Sequence, residues 1–321
     1  MEKSTTSDQH DVLAQLFSQH VCAREFLDNG EVQEAISILE TVWKHPKVDE
    51  YPRSLDLQYD LAQAYKENGQ LKQSISLLES VVTAEEELPE DSTNRLASKF
   101  ALTQAYLEDG QFEKAIAILN DVIKAEETLP RTHPTRLATI EQLALAHKAK
   151  GDWKQAMVLF ENVVAAREAL PEDDPSRLAS QMLLASTYRE NGLARNAVQV
   201  LEHVVSVQEA QQPQCRFLTE NRHALALAYK ESGLLKEAIE LQRQVVADRV
   251  TAFPKDHRIV LFSKQELAMM YGADHQWVEA VPLLKYVLEV KESALPSDDQ
   301  SLTDIRRTLE QFKAGAIEDT A

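Results

Sequence analysis

Glycine is scarce in this chain, with 8 among 321 residues. That argues against a loop-rich enzyme. Two cysteines, Cys22 and Cys215, are too few and too far apart for a disulfide framework or a thiolate zinc site. No run reaches the ~18 consecutive apolar residues that a membrane helix needs. The first residues, "MEKSTTSDQHD", lack the apolar segment of a secretory signal. A reducing setting is therefore expected, cytoplasmic by default with the nucleus as the alternative. Positive charge is also short. Lys and Arg number 34 against 52 Asp and Glu, for a net charge of −18. Readers of nucleic acid usually present a basic face, so neither nucleic acid nor an anionic membrane is an expected partner.

What is present is helix-forming composition and a period. The stretch "AYKENGQLKQSISLLESVV", residues 64–82, holds an Asn-Gly pair, which often marks a β-hairpin. Its flanks have a helical period instead: Leu71, Ser74, Ile75, Leu78 and Val82 fall at i, i+3, i+4 and i+7. The glycine recurs at Gly30, Gly69, Gly110, Gly151, Gly192 and Gly233, and the next step lands near His275, with Gly272 just before it. Four residues before each turn stand Phe26, Tyr65, Tyr106, His147, Tyr188, Tyr229 and Tyr271. Seven before stand Ala23, Ala62, Thr103, Ala144, Ala185, Ala226 and Ala268, and five after stand Ala35, Ser74, Ala115, Ala156, Ala197, Ala238 and Ala280. Prolines such as Pro89, Pro130, Pro171, Pro213, Pro254 and Pro296 mark the joints. Each unit reads as a helix, a glycine turn, a second helix and a Leu-Pro-acidic loop. Asp174 before Pro175 has the form of an N-cap followed by proline at the first helical position.

Small residues flanking a turn, with an aromatic between them, are the phased positions of a tetratricopeptide repeat. The unit of about 41 residues resembles the longer repeats of kinesin light chains, most closely in "LAMMYGADHQWVEAVPLLKYVLEVKESALPSDD", residues 267–299. The resemblance implies an all-α, right-handed α-α superhelix (a TPR solenoid) of about seven helix-turn-helix repeats. It covers residues 9–300, with turns near 30, 69, 110, 151, 192, 233 and 275. Residues 301–315 form an added helix whose Leu302, Ile305, Leu309 and Phe312 make one apolar face, suited to capping the last repeat. Residues 1–8 are expected to be disordered, residues 316–321 form a polar tail, and no second domain is expected. The joint "KHPKVDEYPR" is irregular and suggests some independence of the first hairpin. The paired asparagines of light-chain first helices are replaced here, as by Tyr59-Asp60 and Met182-Leu183. The likeness is to the repeat and not to a kinesin subunit.

No catalytic or metal constellation stands out, and no cofactor is expected. No Gly-x-Gly-x-x-Gly, P-loop or Gly-x-Ser-x-Gly occurs. His147 reads as a packed wedge residue. Cys22 reads as a small core hydrophobe, since it matches Leu61, Leu102 and Leu143. Glu86, Glu127, Glu168, Glu209 and Glu292 recur in phase with Arg95, Arg136, Arg177, Arg216 and Arg258. They read as ion pairs and caps between units.

The family geometry implies that first helices line a concave groove. Lys66, Lys148, Arg189 and Lys230 then lie on the inner face, with Gln63, Gln104 and Ser186 beside them and Tyr59, Phe100 and His223 deeper. His20, Arg24 and Met182 share those positions. Such a groove suits an extended protein or peptide segment with acidic and apolar side chains. The alternative is that Lys66, Arg189 and Lys230 only pair with Glu67, Glu190 and Glu231. The expected function is a non-catalytic interaction scaffold. The competing readings are a peptide or small-molecule sensor and an accessory protein of a biosynthetic pathway.

Overall fold

The computed structural model describes residues 2–89, 92–211, 217–296 and 298–318, with side chains from residue 11 onward. Pro213, Cys215 and Arg216 lie outside the described residues. Fifteen α-helices and no strand occur among them. The hairpins are α1 (Glu2–Asp28) with α2 (Val32–Trp43), α3 (Ser54–Glu67) with α4 (Leu71–Ala84), and α5 (Thr93–Glu108) with α6 (Phe112–Ala125). They continue with α7 (Pro134–Lys150) and α8 (Trp153–Arg167), α9 (Pro175–Glu190) and α10 (Ala194–Gln211), and α11 (Leu218–Ser232) and α12 (Leu235–Ala252). The last is α13 (Arg258–Ala273) with α14 (Trp277–Ala294), followed by α15 (Gln300–Glu318). The chain divides into two compact units, 1–159 and 160–321, with the boundary inside α8. In the first unit α1 to α7 pack in succession; in the second α9 to α15 do so.

One backbone device closes each hairpin. At Gly69, φ is +75°, a left-handed conformation that costs a residue with a Cβ about 1 kcal/mol or more. Its N–H donates to the Lys66 carbonyl at 2.9 Å, and the Gln70 N–H donates to the Tyr65 carbonyl at 2.8 Å. These two bonds satisfy carbonyls that a helix end would leave open. The second bond recurs in all seven turns, always to the carbonyl of the phased aromatic or histidine. In the seventh turn His275 takes the left-handed place at φ +58°. Gly272 serves a different purpose: a Cβ there would stand 2.1 Å from the Phe312 ring. Glycine has moved three residues toward the N-terminus because α15 packs against the α13 backbone at that point.

The phased small residues are the core of each hairpin. Ala23, Ala62, Thr103, Ala144, Ala185, Ala226 and Ala268 are at most 2 % exposed. Their partners five residues after the turns are fully buried. Removing two side chains at the crossing lets the helices approach, and Leu39, Leu78, Leu119, Leu201 and Leu284 fill the space beyond. The aromatics bridge consecutive hairpins by their hydroxyls. Tyr65 donates to Glu40 at 2.8 Å, Tyr188 to Glu161 at 2.7 Å, Tyr229 to Glu202 at 2.7 Å, and Tyr106 to Glu79. Burial, reinforced by the carboxylate, pushes the Tyr65 and Tyr188 phenols up to about 12. His147 holds this place as a half-buried ring beside Asp152 at 3.2 Å. The N-cap at Asp174 is present: its carboxylate accepts from the N–H groups of Ser176 and Arg177 at 2.9 and 3.1 Å.

Several expectations need correction. Cys22 is exposed, not packed. Leu61, Leu102 and Leu143 each have a preceding second helix to bury against; among the described residues α1 has none on that side. The helical backbone starts at Glu2, inside the segment expected to be disordered. The irregular joint is tied to the first hairpin through Tyr51, which is buried and bonded to His20 at 3.0 Å. Among the described residues Arg95, Arg136 and Arg177 cap the preceding second helices, as expected, but form no ion pair with the phased glutamates. They donate to the carbonyls of Leu88, Leu129 and Leu170 at 2.8–3.0 Å, and Arg95 and Arg177 also to the Glu86 and Glu168 carbonyls at 3.4 and 3.2 Å. A short 3₁₀ turn or bend ends each of these second helices and leaves the leucine carbonyl pointing at the next first helix, where a guanidinium reaches it. Of the phased glutamates, Glu209 pairs with Arg222 and Glu292 with Arg306.

Candidate binding surface

Within each unit consecutive first helices touch, as α1 does α3, α3 does α5 and α9 does α11. Cations near their C-terminal ends reach from one first helix to the next. Arg189 on α9 grips both carboxylate oxygens of Glu231 on α11 at 3.0 Å, and Lys230 on α11 reaches Glu266 on α13 at 3.2 Å. The alternative drawn from the sequence pairs these cations with Glu190 and Glu231 of their own helices. They pair across the repeat instead, because adjacent side chains on a helix diverge, whereas neighbouring first helices lie side by side within reach of a long cation. The pairs are partly exposed and contribute about 0–1 kcal/mol each.

The other predicted residues are dispersed. Ser186 donates to Glu190 at 2.8 Å. Phe100 packs into the cluster around Leu119 and Leu143, so it belongs to the interior. Gln104 is exposed, while Gln63, Lys66 and Lys148 are half-buried. His223 ends a buried polar chain. Its Nδ1 donates to Gln242 at 2.9 Å, Gln242 donates to the Ser263 carbonyl at 3.0 Å, and Arg249 donates to the Ser263 hydroxyl at 2.6 Å. Burial lowers the His223 pKa, which suits the neutral ring.

Tyr59 lines a cavity of about 400 Å³ in the first unit, with Arg24, Arg53, Asp56, Asp60 and Glu85. Asn94, Ala97 and Ser98 close its α5 side. Asp60 accepts from fully buried His20 at 2.8 Å and lies 3.4 Å from Arg24; Arg53 donates to Asp56 at 2.8 Å. Glu85 is 5 % exposed, and its Oε2 has no hydrogen-bond partner among the described residues.

Glu85 is the residue that the sequence reading missed. It begins a buried row, Glu85, Glu126, Arg167, Gln208 and Arg249, repeating every 41 residues. Small or polar residues of the next first helix face the row. Thr139 donates to Glu126 at 3.2 Å, Asn221 to Gln208 at 2.9 Å, and Arg249 to Ser263. Arg167 donates to the Ser176 carbonyl at 2.9 Å. The signal was available, since Glu85 lies seven residues after Leu78 on the buried stripe, one place before the exposed Glu86.

Two family models for the tetratricopeptide repeat match the chain, one over residues 53–127 and one over 136–176 and 222–259. Among solved structures, the nearly identical TPR-like repeats of a kinesin light chain candidate from Podosopora anserina are 38 % identical. The match covers 64 % of this chain and 99 % of that one, with a TM-score of 0.57. The chain belongs to the tetratricopeptide-repeat family. A variant of the same repeats, with one glutamine replaced by methionine, is 39 % identical over 61 % of this tetratricopeptide-repeat chain and 94 % of that one, with a TM-score of 0.55. A tetratricopeptide repeat protein from Parabacteroides merdae shows the fold alone. It is 14 % identical over 93 % of this chain and 98 % of that one, with a TM-score of 0.58. No curated protein matches the chain. Tetratricopeptide repeats generally mediate protein–protein interaction and are typically non-catalytic. Among the described residues, no group of three His, Cys, Asp or Glu is placed to hold a metal ion. None of their helices is long and apolar enough to cross a membrane.

Proposed function

We propose that this tetratricopeptide-repeat protein is a non-catalytic scaffold that docks a segment of a protein partner against the face lined by its first helices. The observation that carries the reading is the contrast between constant and varied positions. The turns and the alanines recur from unit to unit and the Tyr–Glu bridge in four of them, whereas the first-helix face is more varied, as at Tyr59, Glu141, Met182 and His223. What recurs maintains the array; a specific ligand needs local departures from it. The presence of Glu231 and Glu266 beside Arg189 and Lys230 narrows the expected acidic partner, because at least these two of the inner cations already have carboxylates. An acidic segment would have to displace them.

Affinity capture with the full chain, followed by cross-linking mass spectrometry, tests the proposal. Cross-links should concentrate on the odd-numbered helices. Links confined to the even-numbered helices would refute it.

A further inference from the structure

We propose that the first unit contains a lysine-binding pocket: the cavity over Glu85 receives the side chain of one lysine from a protein partner. This rests on the first-helix docking surface proposed above and gives that surface a chemistry.

The wall of this cavity holds an unmet hydrogen bond. A buried carboxyl oxygen without a donor is costly, by about 1–3 kcal/mol or more for a charged group. Native proteins rarely leave one open unless something fills it. Glu85 Oε2 is such an atom, on a side chain that is 95 % removed from solvent and lines the cavity wall. The other two acids of the wall each hold partners through one oxygen, Oδ2. Asp60 is engaged by His20 and Arg24, and Asp56 by Arg53. The lining contains two cations and three acids, one formal negative charge in excess. A single positive charge balances it.

Size and shape then favour lysine. The cavity, at about 400 Å³, lies in the range of small-ligand sites. Leu55, Ala97 and the Tyr59 ring offer apolar contact to a four-carbon stem. An ammonium is a compact charge with rotatable donors, and a rotation of the Glu85 side chain presents its buried, unpartnered oxygen to it. A guanidinium brings five donors in a rigid fork, more than the single open oxygen of Glu85 can meet. The second unit supplies an internal comparison. At the position equivalent to Glu85 it has Arg167, Gln208 and Arg249, each with a hydrogen-bond partner inside the protein.

The test uses the full chain and a displayed library of random, cysteine-free dodecapeptides, with binding of the selected peptides followed by fluorescence polarisation. Selected peptides should contain lysine. Changing that lysine to glutamine should weaken binding at least tenfold, as should Glu85→Gln. The two changes together should cost no more than either alone, the signature of direct contact. Glu85→Arg, which copies the residue at position 167, should retain the wild-type melting temperature within a few degrees and abolish binding. Glu126→Gln, one repeat further on, should leave binding unchanged. n-Butylammonium should compete, and n-butanol should not.

Peptides that bind equally well after Glu85→Gln and after loss of their lysine would overturn the pocket. If those peptides still cross-link to the odd-numbered helices, the docking surface stands without it. A library that yields no binder also overturns the pocket, and the capture experiment then decides the docking surface separately.

Discussion

The two units solve the same joint in opposite ways. Where the end of a second helix meets the next first helix, the first unit buries Glu85 and Glu126, and the second buries Arg167, Gln208 and Arg249. In the second unit each residue has a partner in the adjoining first helix. Open atoms remain in both units: one oxygen of Glu85, one of Glu126 and, in the second unit, the Nε of Arg249 have no hydrogen-bond partner among the described residues. The glycine turns are alike in both, but Glu85 and Glu126 open 3₁₀ turns, whereas Arg167, Gln208 and Arg249 lie within α-helices. The repeat geometry therefore fixes where a polar residue is buried, and the local residue decides whether that place is closed or open. An arginine closes it because its long stem packs while its fork reaches several acceptors. A glutamate is shorter and needs a donor that the neighbouring helix supplies only in part.

The comparison breaks first at Arg249. Arg249→Ala removes a packed stem and its bond to Ser263, and should cost about 2–3 kcal/mol in urea unfolding. Glu85→Ala should cost less, since no hydrogen bond of its Oε2 is lost. Equal costs would show that burial alone, and not closure of the joint, distinguishes the units.

Alkaline pH probes what the units share. The Tyr65 and Tyr188 phenols lie at about 12 in the fold, above their value near 10 in an unfolded chain. Between those values the folded state retains protons that the unfolded state loses. Stability is complete below pH 10 and falls as pH rises toward 12. Tyr65→Phe and Tyr188→Phe should each cost about 1 kcal/mol at pH 8 and flatten that alkaline loss to the same extent. A loss confined to one of the pair would separate the units at a place where their geometry is alike.

Smaller and opposite in sign is Glu126→Gln. Burial raises the Glu126 pKa despite the Thr139 hydroxyl. A raised carboxyl favours the fold at pH values below its unfolded titration, and that advantage fades as pH rises through the folded value. The variant should match the wild type at pH 4 and be more stable by about 0.5 kcal/mol at pH 7, measured by thermal unfolding. Least of all, Arg189→Gln should cost about 0.5 kcal/mol or less, an effect that salt erases.

The turns were legible in the sequence because only glycine takes a left-handed bend without strain, so spacing alone exposed them. The alanine pairs were legible for the same reason: helix contact excludes larger side chains. The Tyr–Glu bridges were not, since their partners lie 25–27 residues apart and neither residue type is diagnostic. The arginines at the joints were found as caps, but the leucine carbonyls among their acceptors were not, because the direction of such a carbonyl depends on a 3₁₀ turn that has no residue signature. Cys22 was misplaced because a repeat rule assumes a neighbour on both sides. Tyr59 was named for the inner face and lines the cavity, whereas Glu85 was passed over beside a more conspicuous glutamate run.

The contact between Gly272 and Phe312 determines where this chain can be lengthened. A cassette of about 41 residues inserted between two interior turns brings with it every feature that a joint requires: glycine, paired alanines and aromatic. A cassette inserted after α14 would pull Phe312 from its notch and expose a glycine in mid-helix with nothing to receive. The seventh hairpin is thus a terminator module, fitted to its cap and not interchangeable with the six before it.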